Sequence, residues 1–224
     1  MNNFEKNTFD HSTHQEFVDY YAEKSLSDTS IQRMQGIVDC VKRSLKKRGI
    51  SKQLDIADIG CNAGVMSMIW AKEGHRVSGL DVNAALLEIA KQRARHENLN
   101  IDFVLGSATD LPWENASMDV CIAPELLEHV ADWQTCLNEF IRILKPGGVL
   151  FFSTTNKLCP AQQEFTLPLY SWYPRFLKRY FEHLAITTRP EIAGYAKYPA
   201  VNWFSFYQLR QYFLKIGCRF VRSL

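Results

Sequence analysis

The chain has 224 residues, 46% of them apolar and 22% charged, a composition suited to one sizeable core with an insertion. Its formal net charge of +2 argues against a nucleic-acid face spread over the whole surface, while leaving a local patch open. No apolar run is long enough to span a bilayer, and Met1-Asn2-Asn3-Phe4-Glu5-Lys6 lacks the apolar stretch of a secretory leader. The cysteines at 40, 61, 121, 136, 159 and 218 form neither a CxxC pair nor a disulfide framework, so reduced thiols in a cytoplasmic protein are expected.

Residues 1–13 are polar. Phe17, Tyr20 and Tyr21 then predict a short amphipathic helix over His14–Lys24. Ser30 is placed to cap a longer helix, Ile31–Lys47, with Ile31, Met34, Ile37, Val38, Val41 and Leu45 on one face. Its basic end (Lys42, Arg43, Lys46, Lys47, Arg48) reads as cations complementing the helix dipole before Gly49, in preference to a nucleic-acid patch.

Strands and helices alternate from there. Leu54–Ile59, Arg76–Leu80, Ile101–Leu105, Met118–Ala123 and Val149–Ser153 are predicted strands. Val65–Glu73 and Ala84–His96 are predicted helices, and Glu125–Leu144 is expected to hold one or two more. This rhythm predicts an α/β fold, a doubly wound and mostly parallel sheet with helices on both faces. Ligands of such sheets bind beyond the carboxyl ends of the strands, where Asp58, Asp81, Ser107 and Glu125 gather. From Thr154 to Trp203 the rhythm breaks, with Pro160, Pro168, Pro174, Pro190 and Pro199 among many aromatics, an irregular insertion of the kind that usually carries function. Phe204–Ile216 reads as a helix ended by Gly217, and Cys218–Val221 begins an extended run. The expected organisation is N-terminal helices capping the site (1–49), a ligand-binding core (50–155), an insertion forming the acceptor site (156–203), and the last helix with the start of a strand (204–224).

The most informative stretch is Leu54-Asp55-Ile56-Ala57-Asp58-Ile59-Gly60-Cys61-Asn62-Ala63-Gly64, a strand, a glycine-spaced turn and a helix start. Such a loop lets backbone approach a ligand, and the helix behind it points its unpaired N–H groups at the same space. Asp81 follows about twenty residues later, the spacing of an acid that grips a ribose diol. A helix-capping role for Asp81 is compatible with that, because Asn83 and Ala84 open the next helix. A dinucleotide oxidoreductase would want Gly-x-Gly-x-x-Gly to seat a pyrophosphate, whereas this loop spaces Gly60 and Gly64 by three residues. Asp58 would repel a pyrophosphate and would favour a sulfonium and an ammonium group.

Four segments together resemble the class I S-adenosylmethionine-dependent methyltransferases. Asp58–Gly64 is similar to the first family motif, Gly79-Leu80-Asp81 to the second, and Gly106–Trp113 to the third. Leu144-Lys145-Pro146-Gly147-Gly148 precedes the fifth strand, and the likeness covers about residues 50–155. It implies a seven-stranded-type Rossmann-like sheet with S-adenosylmethionine over the strand ends. The contacting set implied is Arg33, Asp58, Gly60, Cys61, Asn62, Gly64, Asp81, Val82, Ser107, Ala108 and Pro124. Gly60 and Gly64 would line the methionine half, Asp81 the ribose, Ser107 and Ala108 the adenine. Arg33 would pair with the carboxylate, a solvated helix arginine being the other reading.

Three departures stand out. Asn62 replaces a usual glycine, which asparagine's tolerance of left-handed backbone accommodates. Ser107 stands where an acid often meets the adenine amine. The family closes its sheet with a C-terminal hairpin, and this chain ends at Leu224 near the start of its second strand, so an open edge or a truncated chain is expected. An open edge would also suit a homodimer.

A narrower resemblance, to the ubiquinone-biosynthesis O-methyltransferases, lies in Glu125-Leu126-Leu127-Glu128-His129-Val130 and Ser153-Thr154-Thr155-Asn156-Lys157. It implies that Glu125, Glu128 and His129, sharing one helix face by their spacing, hold Mg²⁺ or Zn²⁺ near the acceptor. The alternatives are acids serving the helix dipole, and His129, with Glu128, acting as catalytic base without metal. Tyr20, Tyr21, Tyr170, Trp172, Tyr173, Trp203 and Phe204 offer walls for an aromatic or lipophilic small-molecule acceptor, or packing for the insertion. Arg175, Lys178 and Arg179 are placed to meet an acidic substrate or solvent. The expected activity is O-methylation, with N-methylation or a non-catalytic cofactor-binding partner subunit as alternatives; an NAD-linked oxidoreductase is disfavoured by the loop spacing, and no nucleic-acid partner is expected.

Overall fold

A computed structural model describes residues 15–50, 52–160, 165–193, 200 and 202–218. Two helices come first, α1 (Gln15–Ser25) and α2 (Asp28–Lys46). Then come β1 (Asp55–Ile59), α3 (Val65–Lys72), β2 (Arg76–Asp81), α4 (Ala84–His96), β3 (Ile101–Leu105), β4 (Met118–Pro124), α5 (Trp133–Ile143) and β5 (Leu144–Ser153). The later part holds α6 (Arg175–Thr187) and α7 (Phe206–Lys215), with single 3-10 turns at Tyr170–Trp172 and Pro190–Ala193. The described strands form one sheet in the order β3-β2-β1-β4-β5, five strands where seven define the full type. The pairings β1–β2, β1–β4 and β2–β3 are parallel, with Asp58 opposite Gly79 and Ile122.

The chain divides into two compact units, each described by itself. The first comprises Met1–Pro124 and Gln134–Phe151, the second Glu125–Trp133 and Phe152–Leu224. In the first, β1 and β4 are almost wholly buried, as a central parallel strand covered on both faces must be. One face packs Ile37, Val38, Val41 and Leu45 of α2 with Met66 and Trp70 of α3 over Ile56, Val77, Val120 and Ile122. The other packs Leu87, Ala90 and Ala94 of α4 against Cys61 and Phe103.

Phe103 dictates two glycines. A Cβ on Gly79 would sit 2.8 Å from its ring, and one on Gly64 would sit 2.9 Å from the ring and 2.8 Å from Ala90 Cβ. Below the opposite ends of the strands, Lys145 Nζ donates to Asp55 at 2.6 Å and to Asp119 at 3.0 Å, while Asp119 also accepts the Asp55 N–H. The basic end of α2 is engaged too: Lys42 pairs with Glu73 at 2.8 Å, and Arg48 donates to the Gly147 and Gly148 carbonyls.

In the second unit, Phe165, Tyr170, Ala185 and Ala193 make a core with Tyr173, Phe181 and Trp203 against it. The Tyr170 and Phe165 rings stack at 4.0 Å, and Lys178 Nζ lies 4.1 Å from the Trp203 ring while donating to Ser171 O. Tyr170, Tyr173, Trp203 and the buried Phe204 therefore pack the insertion, the bland reading of these aromatics, whereas Trp172 stays exposed. α6 was not predicted within the insertion. The extended run expected from Cys218 lies almost wholly outside the described residues.

Candidate active site

The glycine loop is built by hydrogen bonds that leave one conformation. The N–H groups of Gly60 and Cys61 both donate to Leu80 O, at 2.7 and 3.1 Å, tying the end of β1 to the end of β2. Gly60, Asn62 and Gly64 all have positive φ (73°, 48° and 77°). Asn62 adopts the left-handed backbone expected of its glycine-like place and donates its side-chain amide to Gly60 O at 3.1 Å. Gly64 is the N-cap of α3 and brings no side chain to cap it; in the first turn the Ser67 N–H donates to Asp58.

Two acids sit beneath this loop. Asp58 is 1% exposed and accepts a 2.6 Å hydrogen bond from Ser67 Oγ. Burial pushes its carboxyl up to about 6; the negative charge of Asp81 adds to the rise and the Ser67 bond opposes it. Asp81, 7% exposed, accepts the Asn62 N–H on one oxygen and the Asn83 N–H on the other, both at 2.8 Å. Burial raises its pKa against the pull of those bonds. Asn83, not Asp81, caps α4, its side chain accepting from Ala85 and Leu86 N–H. The Val82 N–H adds a third backbone bond to Asp81, so only part of the carboxylate's acceptor capacity remains for a hydroxyl.

Around the acids, Val82 is 68% exposed directly after β2, and Leu105 is exposed at the end of β3. Ser107 Oγ is turned into its own loop, 2.7 Å from Thr109 Oγ1, while Ala108 is buried. That loop is held from α5: Arg142 donates to Leu111 O, Trp113 O and Asn115 Oδ1 and pairs with Glu139, which accepts the Leu111 N–H. Cys61 is buried against the α4 face and burial raises its thiol pKa. Pro124 is the last residue of β4, and Arg33 lies on the exposed side of α2. The donor set suits a cationic, ribose-bearing ligand. Sequence reasoning missed Ser67 and Arg93, which no motif marks.

The Glu125–Val130 stretch, in the second unit, corrects an expectation. It is a turn, and the helix begins only at Trp133. Glu125 has φ 51°, which no helix admits, and its N–H donates to Ser153 O at 2.9 Å. Glu128 is buried and accepts from Thr154 Oγ1 at 2.9 Å. Asn202 stitches the turn from 72 to 75 residues away, donating its side-chain amide to Leu127 O and Val130 O and its N–H to Glu128 O. Glu125, Glu128 and His129 consequently share no helix face. Among the described residues no group of three His, Cys, Asp or Glu side chains could hold a metal ion. The Mg²⁺ or Zn²⁺ expectation is therefore unsupported, because Glu128 turns inward to Thr154. His129 keeps solvent access, yet the protein packed round its ring lowers its pKa, the Glu125 charge opposing.

Comparison with known proteins shows what these residues resemble. The family described as "Methyltransferase domain" matches residues 57–152, from the glycine loop through β5. Those residues are similar to that family. Over this domain the chain is 37% identical across 102 residues to a ubiquinone biosynthesis O-methyltransferase of Coxiella burnetii, covering 46% of this chain and 44% of that protein. The like-named Klebsiella pneumoniae protein is 36% identical over 103 residues, covering 46% and 43%. The chain thus matches less than half the length of these curated relatives. A putative S-adenosyl-L-methionine-dependent methyltransferase of Methanococcus maripaludis superposes with TM-score 0.54 at 26% identity, covering 64% and 65% of the two chains. A Pyrococcus horikoshii protein shares the fold with TM-score 0.55 at 22% identity, over 62% of each chain. The likeness covers the ordered motifs and the Rossmann-like sheet.

Proposed function

We propose that the chain transfers a methyl group from S-adenosylmethionine to a hydroxyl of a small aromatic or lipophilic acceptor. The observation that carries the cofactor reading is the pair of buried acids, Asp58 and Asp81, beneath the glycine loop. Their charge opposes a pyrophosphate and favours a cation, and Asp81 keeps part of its acceptor capacity for a ribose hydroxyl. Gly60 allows close backbone approach and Gly64, packed against Phe103 and Ala90, fixes the loop's turn, while Val82 and Leu105 offer apolar surface that suits adenine beside Ser107 and Ala108. Cys61 and Asn62 shape the loop; Pro124 and Arg33 remain contacts proposed from the family likeness.

When bound, S-adenosylmethionine supplies an electrophilic methyl whose bonding pair leaves on sulfur as a neutral thioether. The chain's part is to orient, to exclude water and to take the hydroxyl proton. His129 suits that last task, because its lowered pKa keeps an imidazole lone pair free near neutral pH. Glu128, buried on Thr154, supports the turn that presents it. The names of the curated relatives favour oxygen as the acceptor atom.

Calorimetry with S-adenosylmethionine and S-adenosylhomocysteine tests the cofactor; binding of neither by folded protein overturns the proposal. Transfer of labelled methyl to a panel of alkylated catechols, phenols and amines tests the chemistry. Turnover of amines alone would mean N-methylation, and binding without turnover a non-catalytic partner subunit. Replacing His129 by Gln is expected to lower kcat roughly 100-fold with little change in cofactor affinity.

A further inference from the structure

Arg93 has no place in the motifs, yet its guanidinium joins two elements of the cofactor unit. It projects from α4 and donates through Nη2 to Ala22 O at 2.9 Å, and through Nη1 to Ser25 Oγ at 3.1 Å and Ala63 O at 3.2 Å. Ala22 and Ser25 belong to the last turn of α1, where carbonyls lack helical partners and a cation is favoured. Ser25 Oγ itself donates to Ala22 O at 2.7 Å, completing the cap. Ala63 stands between the two left-handed residues Asn62 and Gly64. One rigid fork therefore holds the end of the N-terminal helix and the cofactor loop at once. Its described acceptors are these neutral oxygens, and burial lowers its pKa with no carboxylate opposing.

The loop's other side is held by the Asn62 N–H on Asp81, one of the acids assigned to the ligand. Asp81 thus bonds the loop at Asn62, and the loop bonds Arg93 at Ala63 O. Arg93 in turn fixes the end of α1. Arginine suits this role, because its planar fork reaches three acceptors that a point-like ammonium cannot serve together.

We propose that Arg93 is a positioning residue coupling the docking of α1 to cofactor binding, so that α1 and the Gly60–Gly64 loop order together. The inference rests on the S-adenosylmethionine reading of that loop. By linkage, whatever loosens α1 must weaken the cofactor to the same degree as the cofactor tightens α1.

The test uses the full chain and S-adenosylhomocysteine as probe, with calorimetry for affinity and amide exchange over residues 15–25 and 60–64. In the wild type, ligand is expected to slow exchange in both segments. Arg93→Gln should weaken binding roughly tenfold and leave exchange in α1 unresponsive to ligand. Arg93→Lys should fall between, and circular dichroism identifies any variant that has not folded. Ala22→Pro, which breaks α1 directly, should weaken binding as much as Arg93→Gln, and the double variant should bind no more weakly than either. Unchanged affinity in Arg93→Gln, or full additivity of the two changes, overturns the proposal. Failure of the wild type to bind the probe would instead end the cofactor reading. The Arg93 link would then be judged on the unliganded protein, where equal α1 protection in wild type and Arg93→Gln overturns it.

Discussion

At the scale of single residues, Asp58 makes the sharpest statement. Its carboxyl titrates at about 6 in the fold against 3.8 for the ordinary group, so the folded chain holds a proton that the unfolded chain has lost. The native state binds more protons across that window, and its stability falls as pH rises from about 4 through about 6, by roughly 3 kcal/mol in all. Asp58→Asn is expected to flatten that slope and to raise Tm near pH 7.5, as thermal melts from pH 4 to 8 would show. The same substitution should cost cofactor affinity. In the wild type, S-adenosylmethionine should bind more tightly as pH climbs through 6 and the acid ionises, and calorimetry across that range should find the trend gone in Asp58→Asn. Loop geometry gives a second contrast. Asn62→Gly keeps the required φ and should retain binding. Gly64→Ala strains its φ of 77° and drives a methyl onto Ala90 and Phe103. Its expected cost is about 2–4 kcal/mol by chemical denaturation, with cofactor binding lost.

At the scale of elements, β1 to β4 with α3 and α4 were legible to within a residue, whereas α5 begins only at Trp133 and β5 already at Leu144, five residues before its predicted start. Ala84–His96 and Ile101–Leu105 lie where periodicity put them, because apolar spacing and caps agree there. α2 begins earlier than predicted: Ser27, not Ser30, is the cap, and it accepts the Ser30 N–H. α6 escaped notice for a related reason. Pro174 and Pro190 lie just outside its ends, at Arg175 and Thr187, so they frame the helix and do not break it. Phe176 and Tyr180, both exposed, also blur its apolar face. The Glu125–Val130 turn was illegible because its shape depends on Asn202 and Ser153, distant partners that no local pattern announces. Arg142 is the element-scale device most open to test. Arg142→Ala frees the Leu111, Trp113 and Asn115 contacts in one step and is expected to destabilise by about 1–3 kcal/mol, with faster amide exchange over residues 107–115.

For the whole molecule, cofactor binding and stability should be linked. S-adenosylhomocysteine at a hundredfold excess over its Kd is expected to add about 2.7 kcal/mol, seen as a rise in Tm that grows with ligand concentration. Chelation is expected to change neither binding nor turnover, because Glu128 bonds to Thr154 and among the described residues no group of three His, Cys, Asp or Glu could hold an ion; loss of turnover in EDTA, restored by Mg²⁺, would refute this. The sequence could name a cofactor because glycine loops and acids are local signals. It could not name an acceptor, because four of the seven aromatics it nominated are absorbed by packing: Tyr170, Tyr173 and Trp203 within the insertion and Phe204 against Trp133. The fit of Phe103 against bare backbone also bears on how such a chain diverges. Gly79, at an ordinary backbone angle, is barred from alanine by that ring and by Cys61 Sγ, 3.0 Å from the added carbon. Shrinking Phe103 to leucine first would lift most of the barrier, whereas the reverse order passes through a crippled intermediate. Drift at these two sites is therefore historical: which substitution is permitted depends on which has already occurred, and libraries that vary position 79 alone will miss an alanine that paired libraries recover.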